Sequence, residues 1–130
     1  MIDVSASQEE ADICGSVEEL REVGLTIRAL IASAIESVAV PASGRNPAPY
    51  DCALAELKVA LQPGLALVSI QGHALCVSGS TERLEELASC FFFPDDAGAG
   101  HHFHFEPLPE DSDYSADSLA LAVSVRHSGA

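Results

Sequence analysis

Two stretches of this chain place apolar residues on one side of a helix, and neither can fold without a surface to lie on. After Ser16 the residues Leu20, Val23, Ile27, Leu30, Ile31 and Ala34 recur at helical spacing, with Glu18, Glu19, Glu22 and Arg28 mainly on other faces. Leu84, Leu87, Ala88 and Phe91 form a second stripe, with Glu82, Arg83, Glu85 and Glu86 outside it. One-sided helices bury their stripes against a sheet or another helix, so the rest of the chain must supply that partner. Residues 57–61 alternate apolar and polar, and residues 65–70 are apolar except for Ser69. Gln71-Gly72-His73 can then turn the chain into 74–77 as a hairpin. Residues 2–5, 101–106 and 118–125 also read as strands. The expected fold is α+β: a mainly antiparallel sheet of about six strands with two helices on one face.

The punctuation sets the boundaries. Ser7 followed by Glu10, and Ser16 followed by Glu19, are capping-box patterns that start helices, with Gly15 interrupting the first attempt. The long helix is expected to end before Pro41, because proline disfavours helix in the residue preceding it. Ser80 or Thr81 caps the second helix, and Pro94 follows its end. Residues 41–50 are a Pro-rich internal loop and residues 107–117 an acidic one. A chain of 130 residues that is 48% hydrophobic makes one domain, 1–130, with enough apolar surface to fold. Its order reads as a duplicated strand-helix-strand-strand unit. The two openings, Val4-Ser5-Ala6-Ser7 and Val77-Ser78-Gly79-Ser80, are alike in wording.

Charge narrows the function. Six Lys and Arg stand against twenty Asp and Glu, a formal net charge of −14. Such a chain repels free nucleic acid, whose binding depends on cationic side chains to release counterions. It attracts basic proteins. The N-terminus lacks the basic start and apolar run of an export signal, and no apolar stretch reaches the roughly 20 residues of a membrane span, so a cytoplasmic protein is expected. Cys14, Cys52, Cys76 and Cys90 are far apart, without the spacing of a zinc ribbon or redox pair, and read as reduced, mostly buried side chains.

Motifs for catalysis are missing: there is no Gly-x-Ser-x-Gly, no phosphate-binding glycine loop and no His-Glu-x-x-His. The chain is therefore read as non-catalytic, with no cofactor expected. The most distinctive words are Gly100-His101-His102-Phe103-His104-Phe105-Glu106. On a strand, His102, His104 and Glu106 share one face, while Phe103 and Phe105 point to the other and into the core. The histidines are either part of a partner-binding face or, as an alternative, the start of a metal or ligand site needing a third group from elsewhere. Phe91, Phe92 and Phe93 cannot all face one core from one helix end. Any ring left exposed beside Asp95 and Asp96 would make an acid-rimmed anchor.

The second half, residues 65–125, resembles the predicted bacterial immunity proteins of polymorphic toxin systems, immunity family thirty-two. The likeness rests on the strand ending Val77-Ser78-Gly79-Ser80, the Glu- and Leu-rich helix over 81–92, the Gly100 to Glu106 words and the final strand after Asp117-Ser118. It implies a protein that binds and neutralises a cognate bacterial toxin, with His102, His104 and Glu106 carrying a role. The family's aromatic continuation and Gly-His-Pro turn are replaced here by Pro107-Leu108-Pro109 and Glu110-Asp111-Ser112-Asp113-Tyr114. Charge points the same way, toward a basic toxin such as a nuclease. The expected contact surface is His102, His104, Glu106, Glu110, Asp111, Asp113 and Asp117.

Overall fold

A computed structural model describes residues 1–7, 10–33, 36–43, 52–63, 66–98, 100–105 and 119–126. The chain opens with a hairpin of β1 (Asp3–Ala6) and β2 (Glu10–Gly15), closed where the Ser7 N–H donates to the Glu10 carbonyl at 2.8 Å. Ser7 and Glu10 therefore make a turn between strands and do not start a helix. Ala11, Ile13 and Gly15 are buried while Glu10, Asp12 and Cys14 alternate with them, and that two-residue period outweighs the local capping pattern. The true cap is Ser16. Its hydroxyl accepts from the Glu19 N–H at 3.1 Å, and Glu19 accepts from the Ser16 N–H at 2.9 Å.

Helix α1 (Val17–Ser33) buries Leu20, Val23, Gly24, Ile27 and Leu30. It stops well short of Pro41, because Ser37–Pro41 forms strand β3, with Val38 and Val40 turned toward the core. Strands β4 (Cys52–Leu54) and β5 (Glu56–Leu61) follow with only Ala55 between them, and they lie in different sheets. The chain switches sheets at that corner. Strands β6 (Leu67–Gln71) and β7 (Ala74–Gly79) form the expected hairpin, with Gly72 at φ 62° in its turn. Helix α2 (Thr81–Ser89) is capped by Ser80, and β8 (His102–Phe105) and β9 (Ala120–Val125) complete the order.

The α+β class holds. In place of a single sheet of about six strands, the described residues form nine strands in two mixed sheets: sheet 1, ordered β4-β1-β2-β9-β8, and sheet 2, ordered β3-β5-β7-β6. Each contains one parallel pair, β2 with β9 and β5 with β7. Neither pairing joins neighbours in sequence, which is why local alternation could not reveal it.

The duplication is real and larger than a strand-helix-strand-strand unit. The unit is β-β-α-β-β, repeated at a constant offset. Asp3 opposite Cys14 becomes Leu67 opposite Ser78, and Glu10 beside Ala120 becomes Ala74 beside Glu56, each an offset of 64 residues. Gln62 donates to the Gly79 carbonyl and Arg126 to that of Gly15, at 2.9 and 2.8 Å. Only β3 and β8 slip by one: Val38 opposite Val59 becomes Phe103 opposite Val123. The wording equivalent to Val77-Ser78-Gly79-Ser80 is thus Ile13-Cys14-Gly15-Ser16, not Val4-Ser5-Ala6-Ser7. Both glycines stand in close quarters: a Cβ on Gly15 would lie 3.2 Å from Ile2, and one on Gly79 3.1 Å from Arg83.

The halves are exchanged. The β1–β2 hairpin of the first is completed by β9–β8 of the second, and the β6–β7 hairpin of the second by β5–β3 of the first. One core results, in which Ile13, Leu20, Leu57 and Val59 join Leu75, Leu84, Leu121 and Val123. The helices pack on each other, with Gly24 admitting the ring of Phe92 and the Cβ of Phe91.

Candidate functional site

The alternation that sends Ala11, Ile13 and Gly15 inward sends Glu10, Asp12 and Cys14 to the outer face of sheet 1. Pairing then lays two rows across that face. One runs Ser5, Asp12, Ala122, His104; the other runs Asp3, Cys14, Ser124, His102. The histidine strand therefore does not stand alone. It forms the edge of a surface whose next polar members are Ser124 and Asp12.

Both histidines are exposed, and their rings meet edge to face at 4.8 Å. His102 Nδ1 lies 2.9 Å from the Gly100 carbonyl, which holds the ring, and Gly100 adopts φ 84° to begin the strand. The Ser124 hydroxyl donates to Asp12 Oδ1 at 3.0 Å. Burial pushes the Asp12 carboxyl above its ordinary value, outweighing the Ser124 hydrogen bond that lowers it; Glu10 adds a further rise and His102 a smaller fall. Asp12 is thus a carboxylate held partly out of water with a hydroxyl as its hydrogen-bond donor.

One corner of the face is neutralised. Arg126 donates from Nε and Nη2 to Asp3 Oδ2 at 3.2 and 3.0 Å, from Nη1 to Glu19 at 2.8 Å, and from Nη2 to the Met1 carbonyl at 2.6 Å. Negative charge that can reach outward therefore centres on β2 and shifts away from β1.

Of the residues expected at the contact surface, His102 and His104 lie on this face. Glu106, Glu110, Asp111, Asp113 and Asp117 lie outside the described residues. Glu10, Asp12 and Ser124 were not anticipated. The signal for the first two is the alternation of residues 10–15, which competes in the sequence with the helix-starting pattern at Ser7.

The phenylalanines divide differently from expectation. Phe105 is buried, whereas Phe103 is 39% exposed and rests on Phe93, ring centroids 4.9 Å apart. Phe103 sits on the strand at the end of the sheet 1 order, with the rings of Phe93 and His101 as neighbours. Phe91 and Phe93 are buried, and Phe92 is half-buried beneath the Arg28 guanidinium, 4.2 Å from its centroid. Asp95 is bound by Arg21 at 2.6 Å. No acid-rimmed aromatic anchor forms at Phe92.

The described thiols are free and partly buried, and burial pushes Cys90 up to about 11 and raises Cys14 and Cys76 as well, a setting that suppresses the reactive thiolate. Among the described residues no group of three His, Cys, Asp or Glu is placed to hold a metal, and no helix is long and apolar enough to cross a membrane. The equivalent face of sheet 2 carries a shallow groove of about 310 Å³ lined by Ser37, Lys58, Gln62, Ser69, Gln71 and Cys76.

No protein-family model, curated protein or solved structure matches this chain.

Proposed function

We propose that this chain is an immunity protein that binds a cognate basic bacterial toxin in the cytoplasm and holds it inactive by protein–protein contact, without catalysis. The observation that carries the reading is the outer face of sheet 1, which exposed His102 and His104 share with Asp12 and Glu10 on a chain of net charge −14. Such a face suits a cationic surface: charge complementarity speeds encounter and disfavours wrong partners. The resemblance of residues 65–125 to the immunity proteins supports the same reading, and the acidic segment 107–117 lies between β8 and β9 in the sequence.

The test is co-purification of the tagged protein from its own host at low salt, with mass spectrometry of what remains bound. The expected result is one basic, toxin-like partner that salt releases. Recovery of no protein partner would overturn the reading. With a partner in hand, Asp111, Asp113 and Asp117 changed together to Asn should slow association and flatten its salt dependence; no change in either would remove the acidic segment from the interface.

A second reading, a small metal- or ligand-binding domain, is favoured by the 4.8 Å approach of the His102 and His104 rings on one face. It requires a further ligand from outside the described residues. Metal analysis of protein purified without a histidine tag separates the two, since stoichiometric zinc lost on His104→Ala belongs only to the second.

A further inference from the structure

We infer that this chain is an internal dimer whose halves can be supplied by separate molecules, so that a second copy of the same chain is a partner it can accept by exchanging halves. The inference rests on the pairing pattern and is independent of what the outer face of sheet 1 binds.

Neither half closes a sheet alone. Residues 2–61 supply β1, β2 and β4 to sheet 1 but β3 and β5 to sheet 2; residues 66–125 supply β6 and β7 to sheet 2 but β8 and β9 to sheet 1. The surface joining the halves is two parallel strand pairs, β2 with β9 and β5 with β7, together with the packing of α1 on α2. These contacts are related by the offset of 64 residues, which is the geometry of an isologous twofold interface, where each patch meets its own equivalent. Even the edge is echoed: β4 pairs with β1 at Val4, and the Leu119 N–H donates to the carbonyl of Val68, the equivalent of Val4, at 2.9 Å.

The two halves are joined through a short crossing. Leu61 pairs with Gly79 on one side of β7 and Leu67 with Ser78 on the other, so Gln62 and Ala66 straddle the end of that strand. Two interstrand spacings separate them, about 9–10 Å. Three residues, 63–65, separate them in the sequence. The chain ends mirror it: Arg126 and Ile2 straddle β2 at Gly15, and the Arg126 guanidinium reaches the Met1 carbonyl at 2.6 Å. All that makes one pairing of halves intramolecular is this short segment; the strands themselves do not distinguish a half on the same chain from one on a neighbour.

Removing the segment is the test. With Pro63, Gly64 and Leu65 deleted, Gln62 and Ala66 become bonded neighbours about 3.8 Å apart, which cannot span β7. The two halves of one chain can then no longer pair with each other, while halves of two chains pair with every strand contact intact. The expected result is a doubling of mass by light scattering, with the parent's circular dichroism and a single cooperative melt. A monomer with the parent's spectrum would overturn the inference. Should the deletion prevent folding, a circular permutant decides: it begins at Leu65, joins Ala130 to Met1 and ends at Gly64. A cooperatively melting monomer within about 10 °C of the parent supports interchangeable halves, since such a shift reflects only about 3 kcal/mol; loss of the cooperative transition overturns them.

Discussion

Position for position, the outer face of sheet 1 places Asp12, Ser124 and His102 where that of sheet 2 places Cys76, Ala60 and Ser37. Glu10 has Ala74 as its counterpart, and Ala122 has Lys58, the chain's one lysine. The inward faces show the opposite tendency. Val4 and Val68, Leu20 and Leu84, Leu57 and Leu121, and Val59 and Val123 are identical pairs, all buried. The difference follows from packing. An interior filled to crystal-like density resists any change of volume, whereas outward side chains are bounded only by water and by what they bind. The divergence between the two outer faces is therefore where function is to be sought, and among the described strand residues only the sheet 1 face combines acid with histidine.

The strongest test of equivalent interiors is a matched pair of cavities. Leu20→Ala and Leu84→Ala each remove a fully buried side chain from the first turn of their helix, and each should cost about 2–5 kcal/mol in denaturant unfolding. A marked inequality would show that one half dominates the core. At Gly24 the halves differ, since its counterpart is Ala88. A Cβ on Gly24 would stand 2.7 Å from the Phe92 ring, so Gly24→Ala should displace that ring from Arg28 and cost about 1–2 kcal/mol despite the better helix propensity of alanine. An unchanged or raised midpoint would show that the ring yields freely.

Smaller effects separate the outer faces. Asp12→Asn should slow association with the proposed basic partner roughly threefold at low salt, while Lys58→Gln on the other face should leave the rate unchanged. Equal effects would mean that net charge alone, with no preferred face, guides encounter. The smallest expected change concerns pH. The Asp12 carboxyl in the folded chain lies above its ordinary 3.8, so the folded state holds the proton more tightly than the unfolded one. Ionised Asp12 therefore weakens the fold above its raised value, and that penalty fades as pH falls through it. Asp12→Asn should melt higher than the parent at pH 7, with the gap closing below pH 3.8. A gap that widened in acid would reverse the assignment.

Much of the fold was legible where signals are short. Ser16 with Glu19 announces α1, Ser80 announces α2, and Gln71-Gly72-His73 gives the β6–β7 turn, because caps and turns are satisfied by residues within a few positions. The same locality is misleading at Ser7 and Glu10, where an identical pattern closes a hairpin, and at Ser37–Pro41, a strand lying where the sequence pattern predicts the tail of α1. Of the candidate site, the shared face of His102 and His104 was visible from their spacing. Asp12 and Ser124 were not visible as its neighbours, being 112 residues apart in the chain.

What the sequence determined by itself was class, period and charge: two one-sided helices, alternating strands and a chain of net charge −14. The tertiary structure alone decided which strands pair, that hairpins are exchanged between halves, and that acid and histidine meet on one face. The reason is that strand pairing is made by backbone N–H and C=O groups, which are the same in every residue but proline. Side-chain periods say that a strand exists and which way it faces. They carry no label for its neighbour, and that choice falls to the packing of one shared core.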